Sequence, residues 1–337
     1  MQLMAGAHHG GAENFFERLA AALPRAGIEQ CVAIRRDEER AARLRAAGVE
    51  AIELPFGGLL DFSTRPALRR AIKDFKPHVV LSWMNRATKF CPKGHFIHAA
   101  RLGGYYDLKY YKSCDHLIGN TRGIVDYLRA SGWPADRAHY LPNFVADIHA
   151  SPVSRASMAT PDEAPLALAL GRLHPNKGFD VLLAALAQAP RFHLWLAGEG
   201  PDRAALEAQV QTLGIQERVH FLGWRQDIPA LLAAADIFVC SSRIEPLGNV
   251  VIEAWAAGTP VVSAAAAGPR ELIEDGETGL LVPVDNAKAL ARAMQGLIDD
   301  ADLRAHFKQA GRKTYEDQFS EKRVVGLYKE FFEKVVR

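Results

Sequence analysis

The sequence predicts an α/β chain built from two doubly wound, parallel-sheet domains. Its 337 residues are too many for one small core and suit two domains of ordinary size. Short apolar runs such as "LALALGRL" (166–173) and "DIFVCSS" (236–242) have the continuity of strands buried on both faces. Segments with helical apolar spacing lie between such runs, so strand and helix alternate.

The first half reads as follows. "MQLMAGA" predicts a first strand, and "GGAENFFERLAAALPRAG" a helix after a glycine loop. "QCVAIR", "HVVLSW", "GHFIHAA" and "HLIGNT" predict further strands. "TRGIVDYLRASG" is a helix stopped by Gly132, and "AHYLPNFV" (138–145) closes a domain over 1–146. The Ala-, Ser- and Pro-rich stretch 147–165 reads as a linker.

The second domain, 166–318, alternates more cleanly. After "LALALGRL" come "FDVLLAALAQA" (helix), "FHLWLAGEG" (strand and turn) and "PDRAALEAQVQTLG" (helix ended by Gly214). "RVHFLG", "DIFVCSS", "PVVSA" and "GLLVP" are strands. "IPALLAAA", "LGNVVIEAWAAG" and "NAKALARAMQGLI" are helices. Two such domains place a cleft at the C-terminal ends of both sheets. The chain ends on an amphipathic segment, "YEDQFSEKRVVGLYKEFFEKVV".

Composition narrows the function classes. Hydrophobic residues make up 49% and charged residues 24%, as in a water-soluble globular protein. No apolar run reaches the roughly 18 residues that a bilayer span needs, and "MQLMAGAHHGGAE" lacks the pattern of a secretory leader. Cys31, Cys91, Cys114 and Cys240 form no close pair, which predicts neither a disulfide framework nor a zinc site and fits the cytoplasm. Residues 1–150 hold 21 Lys/Arg against 15 Asp/Glu, whereas 151–337 hold 20 against 24. The basic, aromatic stretches "RPALRRAIKDFK" (65–76) and "LKYYK" (108–112) fit either a solvated face or contact with an anionic membrane or phosphorylated acceptor. No nucleic-acid recognition motif is present, so no nucleic-acid partner is expected.

Two segments carry chemistry. In "GRLHPNKG" (171–178), Arg172 and Lys177 flank a loop between a buried strand and a helix start, a suitable place for a diphosphate. It is not a P-loop, because the G-x4-G-K-[ST] pattern is absent. In "SSRIEPLGNVVIEAWAAGTPVVSA" (241–264), Glu245 lies in a strand-to-helix loop, and Gly248 and Asn249 lie at the helix start. Glu253 follows about one turn into that helix. Alone, Glu253 fits a first-turn glutamate favoured by the helix dipole, and Glu245 an exposed loop acid. Together with the cationic loop upstream, the two carboxylates point to a nucleotide-sugar site. The sole Asp-x-Asp, at Asp300 and Asp302, reads as capping or surface.

At these residues the sequence resembles the GT-B retaining glycosyltransferases of glycosyltransferase family 4. The segments that carry the resemblance are "GRLHPNKGFDVLL", "FLGWRQDIPALLAAADIFVCSSRIEPLGNVVIEAWAAGTPVVSA" and "IEDGETGLLVP", with "GGAE" (10–13) and "LPNFV" (141–145) upstream. The segment "RLGGYYDLKYYKSCDHLIGNT" (101–121) is similar to lipopolysaccharide-core and envelope-polysaccharide members. The resemblance implies two Rossmann-like domains facing across a cleft, with the final helix, 319–337, packed back on the first. It implies a nucleotide-sugar donor, UDP- or GDP-linked, and a glycan or glycolipid acceptor. Arg172 and Lys177 match residues that neutralise the donor diphosphate, Glu253 the acid on the ribose, and Glu245 the acid near the donor sugar. Leu247, Gly248 and Asn249 match the segment facing the sugar or distal phosphate. Gly10 and Gly11 match the donor-side glycine loop, and Phe221, Leu222 and Gly223 the segment along the base.

Where many members have a histidine near the donor sugar, this chain has Arg101, which takes that catalytic contact unless His98 does. Asn85, Arg86, His8 and His9 are further candidates to line the cleft. The implied chemistry is glycosyl transfer without a cofactor or metal ion, expected in the cytoplasm. The basic, aromatic first half separately suggests peripheral contact with the inner face of the cytoplasmic membrane. A sugar-nucleotide epimerase of the same fold and an inactive nucleotide-binding scaffold remain the alternatives.

Overall fold

Apolar runs of this sequence become the central strands of two parallel sheets. The computed structural model describes residues 1–337 apart from His9 and Leu59. It divides into two units: Met1–Phe144 with Glu321–Arg337, and Val145–Ser320.

The first unit runs β1 (Gln2–Met4), α1 (Gly11–Ala22), β2 (Val32–Arg35), α2 (Glu38–Ala46), β3 (Ala51–Leu54) and α3 (Thr64–Phe75). It continues with β4 (Val79–Trp83), α4 (Met84–Phe90), β5 (Ile97–Leu102), β6 (His116–Gly119), α5 (Arg122–Ala130) and β7 (Ala138–Tyr140). Among the described residues the sheet has seven strands in the order β3-β2-β1-β4-β5-β6-β7, all parallel. Leu3, Ala33 and Val80 pack on one face, Met4, Ile34 and Leu81 on the other, so alternate strand residues fill two cores.

The second unit runs β8 (Leu166–Leu170), α6 (Phe179–Ala187), β9 (His193–Ala197), α7 (Arg203–Thr212), β10 (Val219–Gly223) and α8 (Ile228–Ala234). It continues with β11 (Ile237–Cys240), α9 (Asn249–Ala256), β12 (Val261–Ala264), α10 (Ala267–Leu272), β13 (Leu280–Val282), α11 (Ala287–Asp299) and α12 (Ala301–Thr314). Its six strands are parallel in the order β10-β9-β8-β11-β12-β13. Leu168, Trp195, Phe238 and Trp255 are buried together on one face; each such side chain contributes roughly 1.5–3 kcal/mol by leaving water. After a π-helical turn at Tyr315–Phe319 the chain forms α13 (Glu321–Val336), whose Val324, Tyr328 and Phe331 join the core of the first unit.

Both sheets are doubly wound. Strand order reverses between β1 and β4 in one, and between β8 and β11 in the other. In such sheets the loops beyond the C-terminal ends of those strands form the ligand crevice. The segment 147–165, rich in the residues of a linker, is fastened to the second unit. Arg155 donates to Ala234 O at 2.7 Å and pairs with Asp236 at 3.0 Å, and Val153 N donates to Ala230 O. No helix among the described residues is long and apolar enough to cross a membrane.

Candidate active site

Because β8 and β11 are neighbours, the loops that follow them meet. The first loop, 171–178, tightens into a 3₁₀ turn at Pro175–Lys177 and ends at Gly178. Gly178 has φ +61°, and a Cβ there would lie 2.3 Å from Ser241 O, so only glycine fits this backbone approach. The two loops are then stitched together. Ser241 Oγ donates to Lys177 O at 2.9 Å, and Arg243 N donates to Asn176 O at 2.8 Å.

This stitching places Lys177 Nζ 2.5 Å from Glu245 Oε2, with the two side chains 22% and 12% exposed. Ser242 Oγ approaches the same oxygen at 3.4 Å. Gly268 N, in the short helix α10, donates to Glu245 O at 2.8 Å and fixes the loop from its other side. Arg172 is exposed and makes no side-chain hydrogen bond or ion pair among the described residues. Leu247 is buried, Gly248 caps α9 with φ +88°, Asn249 opens that helix, and Glu253 lies half-buried one turn further on. At the end of β10, Phe221 and Leu222 are half-buried, Gly223 is left-handed, and Arg203 stacks 4.7 Å over the Phe221 ring.

One contributor has no signal in the sequence pattern. Arg243 donates to both carboxylate oxygens of Asp180, at 2.8 and 2.6 Å, to Asp285 at 2.6 Å and to Pro175 O at 2.8 Å. Those bonds hold the Asp180 carboxyl below its ordinary range. Arg243 is thus the clamp between the two loops, and its charge is matched by its own partners. A loop arginine shows no periodicity, and its partner Asp180 lies on another element. The charge left over at this strand edge belongs to Arg172. A cation beside helix starts suits an anion, and a carboxylate fixed by an ammonium can accept hydroxyl hydrogens. Asp300 caps α12, accepting from Leu303 N at 2.9 Å.

In the first unit the glycine loop lies between β1 and α1. Gly10 is the N-cap of α1 and Gly11 its first residue. Buried Glu13 turns back under the loop and accepts from Ala7 N at 2.8 Å; a Cβ on Gly10 would lie 2.2 Å from its Oε2. Arg40, 1% exposed, donates to Ala7 O and His8 O and pairs with Glu17 and Asp37. His8 pairs with Asp37 at 3.2 Å, and His9 lies outside the described residues.

Arg101 departs from the expected catalytic contact. It lies within β5, not after it, and is 2% exposed. Its Nε donates to Tyr328 Oη of α13 at 2.8 Å, its Nη2 donates to Asn143, and its guanidinium lies 4.6 Å from Phe15 and 4.8 Å from Trp83 ring centres. The reason is the strand's length: β5 runs through Leu102, so position 101 points into the core that α13 completes. His98 is no substitute. It is buried, bonded to Ser82 Oγ at 2.9 Å, and desolvation lowers its pKa. Asn85 is bonded to Tyr111 Oη, whereas Arg86 is exposed.

Comparison with known proteins agrees with this geometry. The family model for Glycosyl transferases group 1 matches residues 151–314, and that for Glycosyltransferase Family 4 matches 9–147. The lipopolysaccharide core biosynthesis glycosyltransferase LpsE of Rhizobium meliloti is 38% identical over 95% of this chain and 94% of its own length. LpsD of the same organism is 34% identical over 97% and 96%. The crystal structure of Anabaena Alr3699/HepE in complex with UDP superposes with a TM-score of 0.84 at 22% identity, over 99% of each chain, which establishes the shared fold. With whole-length relatives on one side and two doubly wound GT-B sheets on the other, the chain belongs to the group 1, family 4 glycosyltransferases and is a glycosyltransferase.

Proposed function

We propose that this enzyme moves a sugar from a UDP- or GDP-linked donor to a lipopolysaccharide-core, polysaccharide or lipid-linked acceptor, with the anomeric configuration retained. The observation that carries the reading is the Lys177–Glu245 pair at the switch point of the second sheet, with Arg172 exposed on the same loop. An ammonium has three donors, so Lys177 can orient Glu245 with one and present the others to a phosphate oxygen. Arg172 and Lys177 then neutralise the charge that builds on the leaving diphosphate, the kind of preorganised electrostatics that dominates catalysis. With that charge met by the protein, the step calls for no metal ion.

In this reading the bond from the anomeric carbon to the diphosphate breaks as the acceptor oxygen bonds to the same face. The acceptor proton passes to the departing phosphate oxygen. Glu245 holds hydroxyls of the donor sugar and Glu253 the ribose diol, while Phe221, Leu222 and Gly223 lie along the base. Gly248 and Asn249 serve the distal phosphate, Leu247 seats their loop, and Gly10 and Gly11 allow close backbone approach. The UDP complex of the Anabaena protein and the names of the Rhizobium relatives favour a uridine donor and a lipopolysaccharide-core acceptor. Such an acceptor would be met in the cytoplasm, at the membrane's inner face, where the basic first half favours anionic lipid.

A melting-temperature screen with UDP, GDP and their sugars tests the donor, because a ligand of the native state raises stability by mass action. A uridine ligand should raise the midpoint, and no response to any of them would sink the proposal. Glu245→Gln should lower turnover more than nucleotide affinity, and Glu253→Gln the reverse.

A further inference from the structure

The first unit carries a groove of 820 Å³ between the segment before α3, α3 itself and α4. Four cations line it. Arg65 and Arg69 are four apart on α3, and Arg86 and Lys89 three apart on α4, so each pair shares a helix face. Arg65 donates to Lys89 O at 3.0 Å, which ties the two helices together. Arg69, Arg86 and Lys89 are exposed, and their side chains make no hydrogen bond or ion pair among the described residues.

The single carboxylate among the lining residues, Asp61, offsets only one of these four charges. Asp61 accepts from Thr64 Oγ1 at 2.5 Å and Gly57 N at 2.8 Å through one oxygen, and from Thr64 N and Ser63 N through the other. Those bonds hold its carboxylate against the turn that leads into α3. Phe62 and Tyr110, 78% and 43% exposed, add ring faces to the wall. Like charges held unpaired around a concavity focus a positive potential, and arginine forks match planar or tetrahedral oxyanions. Because α4 follows directly from β4, the groove adjoins the strand edge where a doubly wound sheet takes its ligand.

We propose that this groove binds an acidic substituent, carboxylate or phosphate, of the acceptor saccharide, so that the acceptor is an anionic glycan. The proposal rests on glycosyl transfer as the reaction. A concave wall with ring faces suits a saccharide bearing an acid, whereas a bilayer would need a flat or convex face.

The test uses full-length protein and calorimetric titration with trigalacturonic acid, mannose 6-phosphate and neutral maltotriose. Wild type should bind at least one acidic probe and bind it more tightly than maltotriose; whichever probe binds names the acid. The Arg86→Gln/Lys89→Gln variant, checked for an unchanged melting temperature, should weaken that binding about tenfold or more. Its affinity for UDP should match that of wild type. Equal binding of acidic and neutral probes, or acid binding unaffected by the variant, overturns the proposal. So does binding by wild type, and not by the variant, to phosphatidylglycerol vesicles when neither soluble acid binds; that result assigns the patch to the membrane. The titrations need no turnover, so an absence of UDP binding by wild type would strike the donor reading and leave the groove's result standing.

Discussion

The two sheets share a winding but place their cations differently at the switch point. In the second unit, Lys177 and Glu245 are partly exposed and Arg172 is open to solvent. In the first unit, Arg40 and Arg101 are 1% and 2% exposed, and their donors bond to the protein itself. The strand-end loop there is glycine-rich, and the open cations sit further out, on α3 and α4. How far the protein's own acceptors use up a cation's donors thus separates cations that can act on a ligand from cations that act as struts, Arg243 being a strut although partly exposed. One fold uses the same residue type for both jobs, and the strand length and the helix packed above decide which.

The largest effect should come from Lys177→Ala. Losing one donor at a developing oxyanion lowers turnover about 100- to 1,000-fold. The melting temperature should move little, because a partly exposed pair contributes on the order of 1 kcal/mol or less. If the variant instead unfolds early and keeps its turnover when folded, Lys177 is a strut and the contrast collapses.

Arg101→Leu should do the opposite. It removes the buried partner of Tyr328 Oη and one hydrogen bond of Asn143, at a cost of about 3 kcal/mol. For a unit of this size that lowers the melting temperature by roughly 6–12 °C. Turnover per folded molecule should stay close to that of wild type. A stable Arg101→Leu protein without turnover would return this residue to catalysis.

These two residues also show what a sequence can reveal. Lys177 and Glu245 are legible because each lies between a continuous apolar strand and a helix, and such loops are where doubly wound sheets act. Arg101 is not, because its partner Tyr328 lies 227 residues away and nothing local announces the contact. Arg243 is hidden for the same reason, its partner Asp180 lying 63 residues back. The short helices α4 and α10 give too few turns for periodicity to register. Residues 147–165 have a linker's composition, yet Arg155 fastens them to the second unit by partners about 80 residues further on. Local pattern therefore recovered most of the strands and the loops between them, passed over the edge strand β3, and missed what distant side chains decide.

The stitching of the two donor-side loops can be tested by Gly178→Ala. The added methyl meets Ser241 O and takes a left-handed backbone, at a cost of about 1–3 kcal/mol. The loops should part and carry Lys177 away from Glu245. Turnover and nucleotide affinity, followed by calorimetry, should then both fall. A variant with wild-type affinity and turnover would show that the clamp of Arg243 suffices alone.

The smallest effect concerns how the first unit holds α13. His139 and His116, 3.0 Å apart, pack against Phe331 of that helix. Burial, then His116 and Lys334, push the His139 pKa from 6.5 down to about 4, while Asp136 opposes them and Arg129 adds to them. Between those values the unfolded chain binds a proton that the native imidazole refuses, so the unfolded state carries more protons and stability rises with pH. The contribution of this site is therefore intact above pH 6.5 and declines as pH falls toward 4. Because the ring is partly open to solvent, the change is modest, roughly 2–4 °C in melting temperature. His139→Phe keeps the packing on Phe331 and removes the titration, so its melting temperature should fall less steeply between pH 6.5 and 4. Equal slopes in variant and wild type would mean that this pair does not couple α13 to pH, and that the helix is held to the first unit by Arg101, the Arg25–Glu321 pair and its apolar face.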